Sequence, residues 1–263
     1  YYNSKVLLVV GQSGHGKTTF INALVNIYLG ITINDSFRYL LVLNENSNQW
    51  QKITIYKIRP KKGLNFPPLI LIDTPGFGDI RGEKEDKKHL KQFEDFFKSS
   101  LIFDVNCVLY IVNGNNIRFG ENDKRILNYL MNLFSKNLKE NFVVWATHFT
   151  PENKKDIPNY IKTLSDENHF YYQRVLKNDK LSREEILKSC WYFASDNKII
   201  YNNEIERNLI EQEKWKNTEM QIKKFIENKL KILEKKNIKE SCNVLYYRFQ
   251  LENEIKSFTE KIE

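Results

Sequence analysis

Seven apolar runs of strand length recur along the chain, at residues 5–10, 37–43, 53–59, 69–73, 105–112, 142–147 and 190–194. Most are nearly continuous in Val, Ile, Leu and Phe rather than alternating, which is the pattern of strands buried on both faces of a sheet. Between them, apolar residues return at helical spacing over 18–28, 83–99, 122–135 and 159–176. Strand and helix in alternation predict an α/β fold: a mainly parallel, doubly wound sheet with helices on both faces and right-handed crossovers. The neighbouring runs 37–43 and 53–59, separated by the polar stretch 44–51, predict a hairpin at one edge.

From Asn203 onward the pattern changes. No Gly or Pro occurs there, and apolar residues fall at Ile205, Leu209, Ile222, Phe225, Ile226, Leu230 and Leu233. A second cluster follows at Val244, Leu245, Phe249, Leu251, Ile255 and Phe258. The expected organisation is one α/β domain over residues 1–202 and a C-terminal helical segment over 203–263. The first part of that segment packs on the domain; the rest is an amphipathic extension that needs a partner surface. No apolar stretch reaches 18 residues, so no transmembrane helix is expected. The amino terminus runs almost directly into the first strand, the pattern of a piece cut from a longer chain, and no signal peptide is visible.

Composition adds little to the fold and more to the partners. The formal charge of +8 invites a nucleic-acid or membrane-surface reading, but residues 213–240 alone hold nine lysines against five glutamates. Half the excess therefore lies on one helical segment, and Arg-rich grooves interleaved with aromatics are absent; a solvated helix face and no nucleic-acid partner are expected. The three cysteines (Cys107, Cys190, Cys242) are scattered and odd in number. They point to a reducing, cytoplasmic compartment and away from a disulfide or zinc framework. His89 and His169 have no metal-ligand spacing either.

The chemistry is concentrated in two motifs. Val6–Val10 runs straight into Gly11-Gln12-Ser13-Gly14-His15-Gly16-Lys17-Thr18, a G-x-x-x-x-G-K-T pattern, and a helical pattern opens at once. The strand positions the loop, its backbone N–H groups from Gly11 to Thr19 curl around phosphate oxygens, and the helix N-terminus adds partial positive charge. Lys17 reaches the β/γ-phosphates and Thr18 offers a hydroxyl to Mg²⁺. Ser13 and His15 at the loop tip face the phosphates or a partner without being needed for the grip. The second motif is Asp73-Thr74-Pro75-Gly76 at the end of an apolar run. Asp73 can hold Mg²⁺ through a water, and Gly76 leaves its N–H free for a γ-phosphate and lets its loop swing when that phosphate leaves. Together the two motifs indicate a P-loop GTPase.

Asp73-Thr74-Pro75-Gly76-Phe77-Gly78-Asp79 resembles the second switch of the septin group. Its relatives include the immunity-associated (avirulence-induced) GTPases and the chloroplast import-receptor GTPases. Ile80-Arg81-Gly82, residues 103–108 and Arg118-Phe119-Gly120-Glu121-Asn122-Asp123-Lys124 are similar to that group too. The resemblance, covering residues 5 to about 229, implies a GTP/GDP- and Mg²⁺-binding domain that dimerises through its nucleotide-facing surface.

The chain also departs from the common GTPase pattern. Where N-K-x-D usually reads guanine, it has Thr147-His148-Phe149-Thr150. The import-receptor relatives carry Thr-His at that place, which implies that His148 packs beside the base. Asp196-Asn197 stand where that group supplements recognition, and the Asp196 carboxylate can accept from guanine N1–H and the 2-amino group, an arrangement adenine lacks. Phe77 replaces the glutamine that elsewhere orients the attacking water, so hydrolysis is expected to be slow or helped from outside. The resemblance places Arg118 across the dimer interface towards the partner's nucleotide, and Arg81 is a second candidate. Thr32, Ser36 and Ser47 are the candidates to cap Mg²⁺ and the γ-phosphate in the first switch, with Ser47 favoured. The function expected is a slow guanine-nucleotide switch. Its rivals are a nucleotide-locked scaffold that assembles polymers or coats membranes, and an ATPase.

Overall fold

The computed structural model describes residues 3–42, 52–77, 91–93, 95–97, 104–115, 120, 123–124, 126–128, 130, 140–150, 157–166, 169, 171–172, 176, 182, 185, 191–202, 208–238, 251 and 258. In chain order its elements are β1 (Lys5–Gly11), α1 (Lys17–Tyr28), β2 (Thr54–Ile58), β3 (Leu69–Asp73), β4 (Asp104–Val105), β5 (Cys107–Asn113), β6 (Phe142–Thr147) and α2 (Asn159–Leu164). They continue with β7 (Tyr192–Ala194), a 3₁₀ turn (Asn197–Tyr201), α3 (Leu209–Phe225), a π turn (Ile226–Leu230) and β8 (Lys236–Asn237). The described residues of 91–97 and 123–130 are helical as well.

Six strands form one sheet in the order β2-β3-β1-β5-β6-β7, all parallel except β2, which runs antiparallel to β3 at the edge. The continuous apolar runs are explained by burial on both faces. From β1, Val6, Leu8 and Val10 enter one core with Phe77, Phe93, Phe97, Leu127, Leu130 and the inward side of α2. Leu7 and Val9 enter the other, with α1 and α3. In this second core, Trp145 stacks on Phe193 with centroids 5.5 Å apart and meets Phe225 of α3 edge-on at 5.9 Å. The apolar stripe of α3 (Trp215, Ile222, Phe225) is therefore buried against the sheet and α1. Among the described residues, no helix is long and apolar enough to cross a membrane.

Two sequence expectations change. Residues 37–42 form no strand and no hairpin with β2; they run along α1, which supplies their hydrogen bonds from two buried asparagines. Asn22 Oδ1 accepts from the amides of Leu41 (2.9 Å) and Val42 (3.0 Å), and its Nδ2 donates to Val42 O and to the Tyr201 hydroxyl, both at 3.1 Å. Asn26 accepts from Tyr39 N–H at 2.9 Å and donates to Tyr39 O at 2.8 Å. The side-chain amides thus satisfy backbone groups that would otherwise need a neighbouring strand. The second change concerns the helix expected over 159–176, whose first segment, α2, ends at Leu164. Ser165 Oγ turns back to Lys162 O at 2.9 Å, an alternative to helical pairing.

At the amino-terminal edge of the sheet, the chain after the π turn is fastened down. Leu233 O accepts from Lys5 Nζ (2.9 Å) and Asn106 Nδ2 (2.8 Å), and Glu234 O accepts from Asn141 Nδ2 (2.8 Å). β8 then pairs antiparallel with β4.

Replacing Asn22 by alanine would strand the buried Val42 amide and carbonyl and the part-buried Leu41 amide, since the methyl offers neither donor nor acceptor. Asn22→Ala is expected to lower unfolding stability by about 2–3 kcal/mol. Urea titration against wild type checks this; an unchanged midpoint would show that the 39–42 segment does not depend on the clamp.

Candidate functional site

β1 lies between β3 and β5, so the chain leaves it in opposite directions on its two sides. The crevice beyond the carboxyl ends of such strands is the binding position of open α/β sheets. The loop Gly11–Thr18 fills it. Gly11 passes so close to β5 that a Cβ there would lie 2.5 Å from Ile111 O. Gly16, at φ 86°, begins α1 in the left-handed conformation, and no side chain caps the first turn. The unpaired N–H groups of that turn, with the helix dipole behind them, favour an anion.

Lys17 curls back so that Nζ donates to Gly11 O at 3.2 Å and Gln12 O at 3.3 Å. Burial pushes its ammonium down to about 8, opposed by the nearby Asp73 carboxylate. Burial likewise pushes Asp73 up to about 6, with Lys17 and the Thr74 amide opposing. Each charge is thus compensated by the other less than desolvation costs it. An anion beside Lys17 and a divalent cation beside Asp73 would supply what is missing, which is the donor set a magnesium nucleotide needs. Thr18 and Thr19, part-exposed in the first turn of α1, complete the rim beside exposed Ser13 and Gly14. On the far side, Gly76 sits against the loop with no room for a Cβ, which would come within 2.8 Å of Ser13 Cα and 3.0 Å of Lys17 Nζ.

His15 differs from its expected outward position. Its ring is buried beneath the loop, where desolvation and the Lys17 charge push its pKa down to about 4, so it is neutral near pH 7. Its carbonyl is held by Thr147, whose Oγ1 lies 2.7 Å from His15 O and 3.0 Å from Val112 O. A hydroxyl has one proton, and the shorter contact gives it to the phosphate loop. Thr147 therefore ties the loop to the end of β6, a role that the sequence hid because Thr147 was read only as the partner of His148.

His148 has a φ of 54°, a left-handed backbone that costs a non-glycine residue about 1 kcal/mol or more. The strain turns its half-buried ring onto the loop, where Nε2 would stand 3.4 Å from a Cβ on Gly16. Burial and then Lys198 lower its pKa, while Asp196 raises it, so the three side chains sense one another. Asp196 caps the 3₁₀ turn by accepting from Lys198 N at 3.3 Å, and Lys214 Nζ stands 3.9 Å from its other oxygen. Asn197 is buried, with Oδ1 accepting from Ser195 Oγ at 2.7 Å; Ser195 Oγ in turn accepts from Trp145 Nε1 at 3.1 Å. The structure thus gathers Lys17, Thr18, Asp73 and Gly76 around the loop and His148 with Asp196 beside it. Ser47, Arg81 and Arg118 lie outside the described residues.

A family model described as 50S ribosome-binding GTPase matches residues 6–147, more than half of the chain. Septin-5 of Mus musculus is 31% identical over 128 residues, covering 43% of this chain and 33% of its own length. Septin-4 of Homo sapiens is 32% identical over 128 residues, with 43% and 26% covered. The chain therefore spans a third or less of the length of these curated relatives. Among solved structures, a dimerization-deficient mutant of Toc33 from Arabidopsis thaliana superposes with a TM-score of 0.50 at 19% identity. That superposition covers 74% of this chain and 71% of the other, a likeness of fold.

The Lys17 shift sets a pH dependence. A bound phosphate stabilises the ammonium and raises its pKa above 8, so the complex keeps a proton that the free protein loses above that pH. Affinity for GDP is expected to be full below pH 8 and about tenfold weaker at pH 9 than at pH 7. Calorimetric titration across that range decides it; constant or rising affinity would contradict a titrating Lys17 at the phosphates.

Proposed function

We propose that this chain, which belongs to the 50S ribosome-binding GTPase family, is a guanine-nucleotide switch that binds Mg²⁺·GTP, pairs through its nucleotide face and hydrolyses GTP to GDP slowly. The observation that carries the reading is the convergence of Lys17, Thr18, Asp73 and Gly76 on one uncapped helix N-terminus at the switch point of the sheet. Lys17 and the loop amides hold the β- and γ-phosphates. Thr18, Asp73 through a water, and Ser47 would hold a magnesium ion, which would supply positive charge against the transferred phosphoryl group. Gly76 presents its amide to the γ-phosphate. His148 packs beside the base, and Asp196, oriented by the Lys198 amide and Lys214, accepts from guanine N1–H and the 2-amino group.

Slow turnover is supported by Phe77. Its ring is buried in the core beside Phe93, so the position that carries a water-orienting glutamine in other GTPases has no polar group to offer. Arg118, brought across a paired interface, would neutralise transition-state charge instead. The same burial favours a second reading, a cytoplasmic scaffold locked in one nucleotide state that forms polymers or coats membranes. Multiple-turnover assays separate the two, since a rate no faster than GTP in buffer selects the scaffold.

GDP is expected to bind in Mg²⁺ at least about 100-fold more tightly than ADP, and Lys17→Ala to lose GDP binding by a similar factor or more. Equal ADP affinity in calorimetry would confine the site to phosphate recognition, and an unaffected Lys17→Ala would overturn the loop assignment. Arg118→Ala is expected to weaken turnover or pairing. Sedimentation with a GTP analogue and turnover both matching wild type would remove Arg118 from the site.

A further inference from the structure

The 3₁₀ turn that follows Asp196 is gripped at both ends by a single helix. Trp215, Ile222 and Phe225 of α3 are buried against the sheet and α1, which fixes how the helix is rotated about its axis. Glu211, Lys214 and Thr218, spaced three and four apart, lie along the same side of α3 towards its N-terminus, where it passes the turn. At the entry of the turn, Thr218 Oγ1 donates to Asp196 O at 3.3 Å, and Lys214 Nζ stands 3.9 Å from Asp196 Oδ2. At its exit, Asn202 Nδ2 donates to Glu211 Oε2 at 3.3 Å. The two grips are joined on the helix, because Lys214 Nζ also donates to Glu211 Oε1 at 2.9 Å. Asp196, Lys214, Glu211 and Asn202 thus form one line of polar contacts across a turn of five residues.

What this line governs is the direction of one carboxylate. The Asp196 side chain is 22% exposed, so packing alone does not set its two torsions. A carboxylate that accepts two parallel hydrogen bonds from a purine edge has to lie close to the plane of that edge, and its torsions decide whether it can. The Lys198 amide engages Oδ1 from within the turn, and the Lys214 ammonium attracts Oδ2 from α3. Glu211 keeps that ammonium from swinging out into solvent, and its other oxygen holds the end of the turn through Asn202.

We propose that α3 is a specificity-determining element of the nucleotide site: Glu211 and Lys214 are positioning residues that aim the Asp196 carboxylate at guanine N1–H and the 2-amino group. The proposal rests on the guanine-nucleotide reading above. It gives the helix that follows the α/β unit a part in base selection besides its packing, so that loss of the clamp harms recognition of the base and spares the grip on phosphate.

Calorimetry on the whole chain in Mg²⁺ with GDP, ADP and inorganic pyrophosphate tests this. Lys214→Met keeps the apolar stem and removes the charge. It is expected to weaken GDP binding about tenfold, while ADP and pyrophosphate stay within about twofold of wild type. Lys214→Arg, which restores a cation, is expected to return GDP affinity to within about threefold. Glu211→Gln is expected to weaken GDP binding about threefold by the same route, and it carries the test if Lys214→Met does not fold. In an Asp196→Ala background, Lys214→Met is expected to change nothing further. Unmoved or tighter GDP binding in Lys214→Met, a loss shared equally by pyrophosphate, or full additivity with Asp196→Ala overturns the clamp and leaves the nucleotide site standing. A wild-type chain that binds ADP as tightly as GDP overturns the guanine reading, and the clamp with it.

Discussion

The structure depends on two opposite charges drawn partly out of water, one opening α1 and one ending β3. Lys17 opens α1 at the end of the loop from β1, and Asp73 ends β3, its backbone in register with Val9. Neither position suits an ionised group on its own account, as the displaced pKa values show. A fold seeking only stability would place apolar side chains there, because drawing charge out of water costs more than packing an apolar group in its place. Retaining both charges makes the end of the sheet an incomplete electrostatic site, completed by a ligand carrying both signs, as a metal-bound phosphate does.

Holding that site open requires the phosphate loop to be fixed from several directions. Ile111 presses on Gly11 from β5, Thr147 grips His15 O from β6, and Gly76 and Phe77 bind Ser13 and Gly11 from the β3 side. Each contact comes from a different strand, so the geometry of the loop follows from the register of the parallel sheet. The two apolar cores maintain that register, one under α1 and α3 and one under α2 and the helical residues near 93 and 127. Packing far from the ligand thus acts on the site through strand alignment.

The parts legible in the sequence were those in which local pattern and tertiary role agree. Val6–Val10 is apolar because both faces of β1 are covered, and its glycines and Lys17 follow at fixed spacing because backbone must wrap a phosphate. Residues 37–42 were misread because an apolar run was taken for a strand, while the groups that satisfy its backbone sit on a helix 13 to 20 positions earlier, as Asn22 and Asn26. Such polar residues inside a helical pattern look like solvent-facing positions until burial is known. Phe77 was legible as an absence of glutamine but not as an anchor, since nothing in its neighbours announces which core receives the ring. The inward turn of His15 was hidden for the same reason.

The fastening of residues 233–238 marks the end of the molecule opposite the phosphate loop. β8 pairs with β4 in a separate two-stranded ribbon just before β5 begins, while the phosphate loop lies beyond the opposite, carboxyl ends of the six-stranded sheet. The seven residues of β5 separate the two by roughly 20 Å. Lys5, Asn106 and Asn141 together nail the departing chain to that far end. In a pair joined nucleotide face to nucleotide face, the two β4–β8 ribbons would therefore lie at the outer ends, each the length of a strand away from the seam.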